Sequence, residues 1–152
     1  MAITYCIIHP RRLVVATSRE ALTDRDLFDY QTTVWSRKDV AGYDELVDTT
    51  DVVTIVRASA ERVRDLASLA ARMESSNSNS KFAIIAPSDL AFGLGRMFQA
   101  MRGFAGGNLR QVEVFRTAEE AMSFLELDEN TTVHGLMLEG TVDAPSRCRV
   151  HA

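Results

Sequence analysis

A chain of 152 residues with 46% hydrophobic and 25% charged residues has the size and composition of one globular domain, which excludes disorder and collagen-like repeats. Its net charge of -4 and pI near 5.4 argue against a general phosphate-backbone binder, so no nucleic-acid partner is expected. No apolar run approaches the roughly 18 residues of a membrane span, and the basic pair Arg11-Arg12 follows the first apolar stretch instead of preceding it, so a cytoplasmic chain with no membrane span is expected.

Ile3, Tyr5 and Ile7 alternate with Thr4, Cys6 and Ile8, and Leu13-Val14-Val15-Ala16-Thr17 resumes the β-branched composition after His9-Pro10-Arg11-Arg12, which predicts an N-terminal hairpin. Thr23 supplies a capping oxygen, Asp24 and Asp26 suit the positive end of a helix dipole, and Leu27, Tyr30 and Val34 follow at helical spacing, predicting a first helix to about Arg37. Leu46-Val47-Asp48 reads as a short buried strand. Val52, Val53, Ile55 and Val56 stay apolar without alternation, which leaves a strand extension and a packed loop both open. Ser59 is the next cap, before a second helix with Val63, Leu66, Ala67, Ala70 and Met73 on one stripe. The polar loop Ser75-Ser76-Asn77-Ser78-Asn79-Ser80 is too short to separate domains.

Phe82-Ala83-Ile84-Ile85-Ala86, a continuous apolar run between Lys81 and Pro87, predicts a parallel strand buried on both faces. Ser88 caps a third helix carrying Leu90, Leu94, Met97, Phe98 and Met101 and ending near Gly103, with the turn at Ala105-Gly106-Gly107-Asn108. Val112, Val114 and Phe115 form the last core strand, and Thr117-Ala118-Glu119-Glu120 is a capping box before Ala121, Met122 and Leu125. The order β-β-α-β-α-β-α-β-α predicts an α/β domain over residues 1–127, with a mixed sheet of about five strands flanked by helices. Residues 128–152 form a C-terminal extension, in which Thr132-Val133-His134-Gly135-Leu136-Met137-Leu138 is a weak strand and the tail through Val142, Pro145 and Cys148 has no periodicity.

That element order, with Leu46-Val47-Asp48-Thr49-Thr50-Asp51-Val52 leading into a capped helix, resembles the STAS domains of anti-sigma-factor antagonists. It resembles more closely the bacterial SpoIIAA-like, STAS/SEC14-related group of small uncharacterised proteins. The blocks that carry the likeness are Ile3-Thr4-Tyr5, Arg12-Leu13-Val14-Val15-Ala16-Thr17, Tyr43-Asp44-Glu45-Leu46-Val47-Asp48 and Ala83-Ile84-Ile85-Ala86-Pro87, with Phe92-Gly93 and Arg96-Met97. The resemblance covers residues 2 to about 125 and implies a non-enzymatic regulatory or interaction domain. In phosphorylatable STAS antagonists the strand leads into an Asp-Ser-Ser-Gly turn whose serine takes the phosphate. Aligning Asp48 with the strand aspartate places Val56, Arg57, Ala58 and Ser59 at that turn, so the acceptor position is Ala58 and switching by an antagonist-type serine kinase is not expected. Ser59 has the simpler duty of capping the second helix.

No residue set points to catalysis, a cofactor or a metal. His9, His134 and His151 are scattered, and Cys6 and Cys148 lack metal-ligand spacing, so the cysteines are expected as a buried apolar residue and an incidental thiol in a reducing compartment. Asp44, Glu45, Asp48 and Asp51 are expected as a solvated edge. Arg57, Ser59, Ser88, Arg116 and Thr117 fall where helices start beside the ends of parallel strands, and either hold an anion or partner there or merely cap helices. Gly93 and Gly95 break helix propensity among Phe92, Met97, Phe98, Met101 and Phe104, a face that is either crowded core or an interface. Two functions stay open: a regulatory module with a protein partner, and a carrier or sensor of an apolar or acidic small ligand lined by Phe92, Met97, Phe98 and Met101. A homodimer is expected, on two grounds: the apolar Val133–Leu138 patch, read as a strand that crosses to a neighbouring subunit, and the aromatic and Met-rich face around the third helix.

Overall fold

The computed structural model describes residues 3–56, 59–74, 79–105, 110–143 and 148–150, with side chains described through residue 140. β1 (Ile3–Ile8) and β2 (Leu13–Thr23) form the expected antiparallel hairpin around a 3-10 turn at His9–Arg11. Three parallel strands follow, β3 (Asp44–Val56), β4 (Lys81–Ile85) and β5 (Gln111–Phe115), and β6 (Cys148–Val150) pairs antiparallel to β1. The resulting α/β sheet is mixed and has six strands in the order β5-β4-β3-β2-β1-β6.

The helices between the strands are α1 (Asp24–Trp35), α2 (Ala60–Met73) and α3 (Asp89–Phe104). Each begins where a side-chain oxygen satisfies an amide of its first turn: Thr23 in a reciprocal capping box with Asp26, Ser59 accepting from Arg62 N, and Ser88 accepting from Ala91 N. Because β2, β3, β4 and β5 advance across the sheet in one direction, right-handed crossovers place all three helices on the same face. In-register neighbours point to one side, so Tyr5, Ala16, Val47, Ile84 and Val114 form one row beneath these helices, with Ile7, Val14, Glu45, Phe82 and Val112 the next. Residues one step along each strand, Cys6, Val15, Leu46 and Ala83, face the other side, which α4 (Ala118–Phe124) and α5 (Val133–Asp143) cover with Ala121, Met122, Leu125 and Leu136.

One open alternative is resolved and three expectations are corrected. Residues 51–56 are strand: β3 runs on from Thr50 to Val56 alongside β2, and irregularities between Thr17 and Arg19 and between Glu20 and Ala21 erase the alternation that would have marked it. Val133–Leu138 is the first half of α5, started by Thr132 Oγ1 accepting from Gly135 N at 3.0 Å. The short strand at the C-terminus is β6, which adds to β1 of its own chain, so the exchanged-strand motive for a dimer falls away. Finally, Cys6 is disulfide-bonded, and the register sets it opposite Cys148, the chain's only other cysteine. The reducing compartment inferred from two separate thiols loses that support.

The glycines of α3 differ in what they do. A Cβ on Gly95 would sit 3.0 Å from Val114 Cγ1, whereas one on Gly93 would meet nothing within 4 Å. Only Gly95 therefore lets the helix approach β5. Gly93→Ala should stabilise the protein by up to about 1 kcal/mol through helix propensity, while Gly95→Ala gains nothing or loses because the stiff Val114 side chain must move. Urea unfolding of both variants checks this. On the opposite face, a Cβ at Gly140 would lie 2.7 Å from Cys6 Cβ, so Gly140→Ala should cost on the order of 1–3 kcal/mol by pushing α5 off β1.

Candidate functional site

The helix-bearing face of the sheet has two separate cores. One joins β1 and β2 to α1 through Ile3, Tyr5, Val14, Ala16, Leu22, Tyr30 and Val34. The other joins β4 and β5 to α2 and α3 through Ala67, Ile84, Ala91, Phe98, Val112 and Val114. Between them, over β3 and the outer half of β2, lies a partly open cavity of about 150 Å³. Its walls are Leu27 and Phe28 of α1, Val63 and Leu66 of α2, and Ala91, Leu94, Gly95 and Phe98 of α3. Its floor is Ala16, Val47, Ile84 and Ile55. Ala16 and Ala91 present only short side chains to this space, while Gly95 on its wall lets α3 close onto Val114 of β5.

Besides Thr17, Gln31 and Thr49, the polar residues that line this space lie at three places. At the rim, Arg62 Nε donates to Asp24 Oδ2 at 2.8 Å, and its guanidinium lies 4.2 Å from the centre of the Phe28 ring, tying α2 to α1. On the floor, Ser18 is only 3% exposed, yet its Oγ has no hydrogen-bond partner among the described residues. At the deep end is Glu45, a buried carboxylate on the central strand. Its Oε1 accepts from Arg110 Nη2 at 2.8 Å, and its Oε2 accepts from Tyr30 Oη at 2.7 Å and Trp35 Nε1 at 3.1 Å. Arg110 is held in turn by Ser80 Oγ, the Tyr43 carbonyl and the face of Trp35. Glu45 was expected on a solvated edge; its strand is central, so the inward positions of that strand lie under helices, and the charge is compensated in place. Asp44 and Asp48 accept from the amides of Lys81 and Thr50. No group of acidic, His or Cys side chains that could hold a metal ion occurs among the described residues.

The strand-end candidates are placed as follows. Ser59, Ser88 and Thr117 each accept an amide hydrogen from the residue three positions on. Arg116 donates to the Pro87 carbonyl and to Asp89 Oδ1 at 2.7 Å and stacks 4.2 Å from the Phe92 ring, so its guanidinium is already engaged. The structure brings Arg116, Ser88 and Thr117 to the junction of β5, α3 and α4, while Ser59 follows the extended end of β3. Arg57 and Ala58 lie outside the described residues, as do Ser75–Ser78 and the turn at Gly106-Gly107-Asn108. Among Phe92, Met97, Phe98 and Met101, only Phe98 lines the cavity. The lining stripe of α3 is Ala91, Leu94, Gly95 and Phe98, at i, i+3, i+4 and i+7; Leu90, expected on the stripe, is exposed. Arg110 carried no sequence sign at all.

No family model matches the chain, and no curated protein matches it. Among solved structures it is similar to an uncharacterised protein of the DUF3478 family with a SpoIIAA-like fold from Shewanella loihica PV-4, at 19% identity and a TM-score of 0.44, over 74% of this chain and 83% of that one. No helix among the described residues is long and apolar enough to cross a membrane.

The Glu45 cluster makes two predictions. Arg110→Ala should cost about 3–5 kcal/mol in urea unfolding, because it leaves a buried carboxylate without its cation. Burial, and then the Glu45 charge, push the Tyr30 phenol well above the ordinary tyrosine value. The unfolded chain therefore ionises this tyrosine first as pH rises, and the stability it contributes is present below pH 10 and lost progressively above it. Unfolding free energy measured from pH 8 to 11 should fall more steeply in the wild type than in Tyr30→Phe.

Proposed function

We propose that this chain is a non-enzymatic regulatory domain that senses or carries a small apolar molecule in the cavity between α1, α2, α3 and the sheet. The observation that carries this reading is the cavity itself. A partly open space of about 150 Å³ with almost wholly apolar walls is of the size that admits a single ring, and apolar wall left facing solvent costs free energy. A ligand that fills it recovers part of that cost, which couples occupancy to the spacing of three helices.

The chemistry of the lining favours binding over catalysis. Glu45 is engaged by three donors, so it has little capacity to act as a base. Ser18 lacks a base within hydrogen-bond reach among the described residues, and an unactivated serine hydroxyl is a poor nucleophile. A protein-docking surface has less to support it. The exposed large apolar residues are dispersed, with Leu90 and Phe104 at opposite ends of α3, Val53 on β3 and Leu138 on the far side of the sheet.

Toluene is a suitable probe. At ten times its dissociation constant it should stabilise the wild type by about 1.4 kcal/mol, a rise in melting temperature of about 3–6 °C for a domain of this size. Val63→Phe, which puts a ring into the cavity from α2, should fold and abolish the shift. A wild type that toluene does not stabilise would contradict the proposal.

A further inference from the structure

We infer that the cavity's ligand is a small neutral molecule with a single hydrogen-bonding group, of the kind of a phenol or a compact alcohol, held by that group to Ser18. This rests on the ligand-binding reading above and adds what the ligand must be. Ser18 is the observation that carries it. The residue sits at the irregularity where β2 and β3 slip in register, pairs with Ile3 on its other side, and lines the cavity with a hydroxyl that is buried and has no partner among the described residues. Buried hydroxyls without a partner cost free energy and are rare in native proteins. The adjacent walls are almost wholly apolar, so a polar group carried by the ligand is the partner that would complete the hydroxyl when the cavity is filled.

Charge excludes the other choices. An anion in this cavity would need a cation, and the arginine that lines it, Arg62, is bound to Asp24 at 2.8 Å and to Asp65 at 3.4 Å. A cation would need a carboxylate, and both that line it, Asp24 and Glu45, have arginine partners. Bringing an unmatched charge among Leu27, Val47, Leu66, Ile84 and Phe98 costs far more than one hydrogen bond returns. A neutral ring or compact branched chain also matches the volume of about 150 Å³.

Four single-ring probes that differ in the group the ring carries separate these cases: benzene, phenol, benzoate and benzylammonium, each titrated into the full chain by NMR. The wild type should bind benzene and phenol, and neither ion. Ser18→Ala should weaken phenol about tenfold, the worth of one net hydrogen bond, and leave benzene unchanged. Ser18→Thr, which keeps the hydroxyl, should retain phenol binding. The Ala variant removes an unpartnered group, so it should melt no lower than the wild type. Phenol affinity unaffected by Ser18→Ala, or either ion binding as tightly as phenol, would overturn this inference while leaving a ligand-binding cavity intact. Failure of all four probes would overturn the cavity reading itself.

Discussion

Handedness is the constraint from which this architecture follows. Four parallel strands that advance in one direction across a sheet, joined by right-handed crossovers, must carry their connecting helices on one face. Here that face receives three helices and the opposite face receives α4 and α5, which come from the chain after the last parallel strand. The hairpin side of the helix-bearing face is sealed by α1 and the β5 side by α2 and α3. The middle, over β3, is reached by side chains from all three helices and filled by none. The cavity is thus a product of topology and of the short side chains of Ala16 and Ala91.

Glu45 gives that arrangement its fixed point. A carboxylate between Val14 and Phe82 in a central row is tolerable only because α1 brings Tyr30 and Trp35 to it and the start of β5 brings Arg110. Three parts of the chain far apart in sequence are tied by one group, and their polar atoms are consumed in the tie. The deep end of the cavity is consequently closed and charge-neutral, while the rim is spanned by the Arg62–Asp24 pair. Between the two ends, Ser18 Oγ is buried and without a partner among the described residues, and it marks where a ligand's own polar group belongs.

Local signals in the sequence were enough to locate most elements. Thr23, Ser59, Ser88 and Thr117 cap the helices expected of them, and Phe82–Ile85 is the buried parallel strand its unbroken apolar run implied. Where tertiary register decides, the sequence was silent. Residues 51–56 lost their alternation to irregular pairing with β2, and Val133–Leu138, a short apolar run with β-branched residues at its start, fits a strand or a helix until Thr132 is seen to cap it. Pairing of β6 with β1 sets Cys6 opposite Cys148 across most of the chain, a juxtaposition that spacing does not reveal. The resemblance to the SpoIIAA-like group anticipated the mixed sheet and its helices. Of Phe92, Met97, Phe98 and Met101, which its ligand-carrying side suggested as a lining, Phe98 alone reaches the cavity, beside Ala91, Leu94 and Gly95.

The account stands or falls on whether the space between the two cores is a real, dry site in the protein in solution and in crystals. Xenon fills apolar cavities without needing any polar contact, so a crystal structure determined under xenon pressure tests this without presupposing the ligand. The prediction is one well-occupied xenon site in contact with Val47, Ile84 and Phe98, with α1, α2 and α3 unmoved. Helices closed together over β3, or ordered water in that space and no xenon, would contradict it.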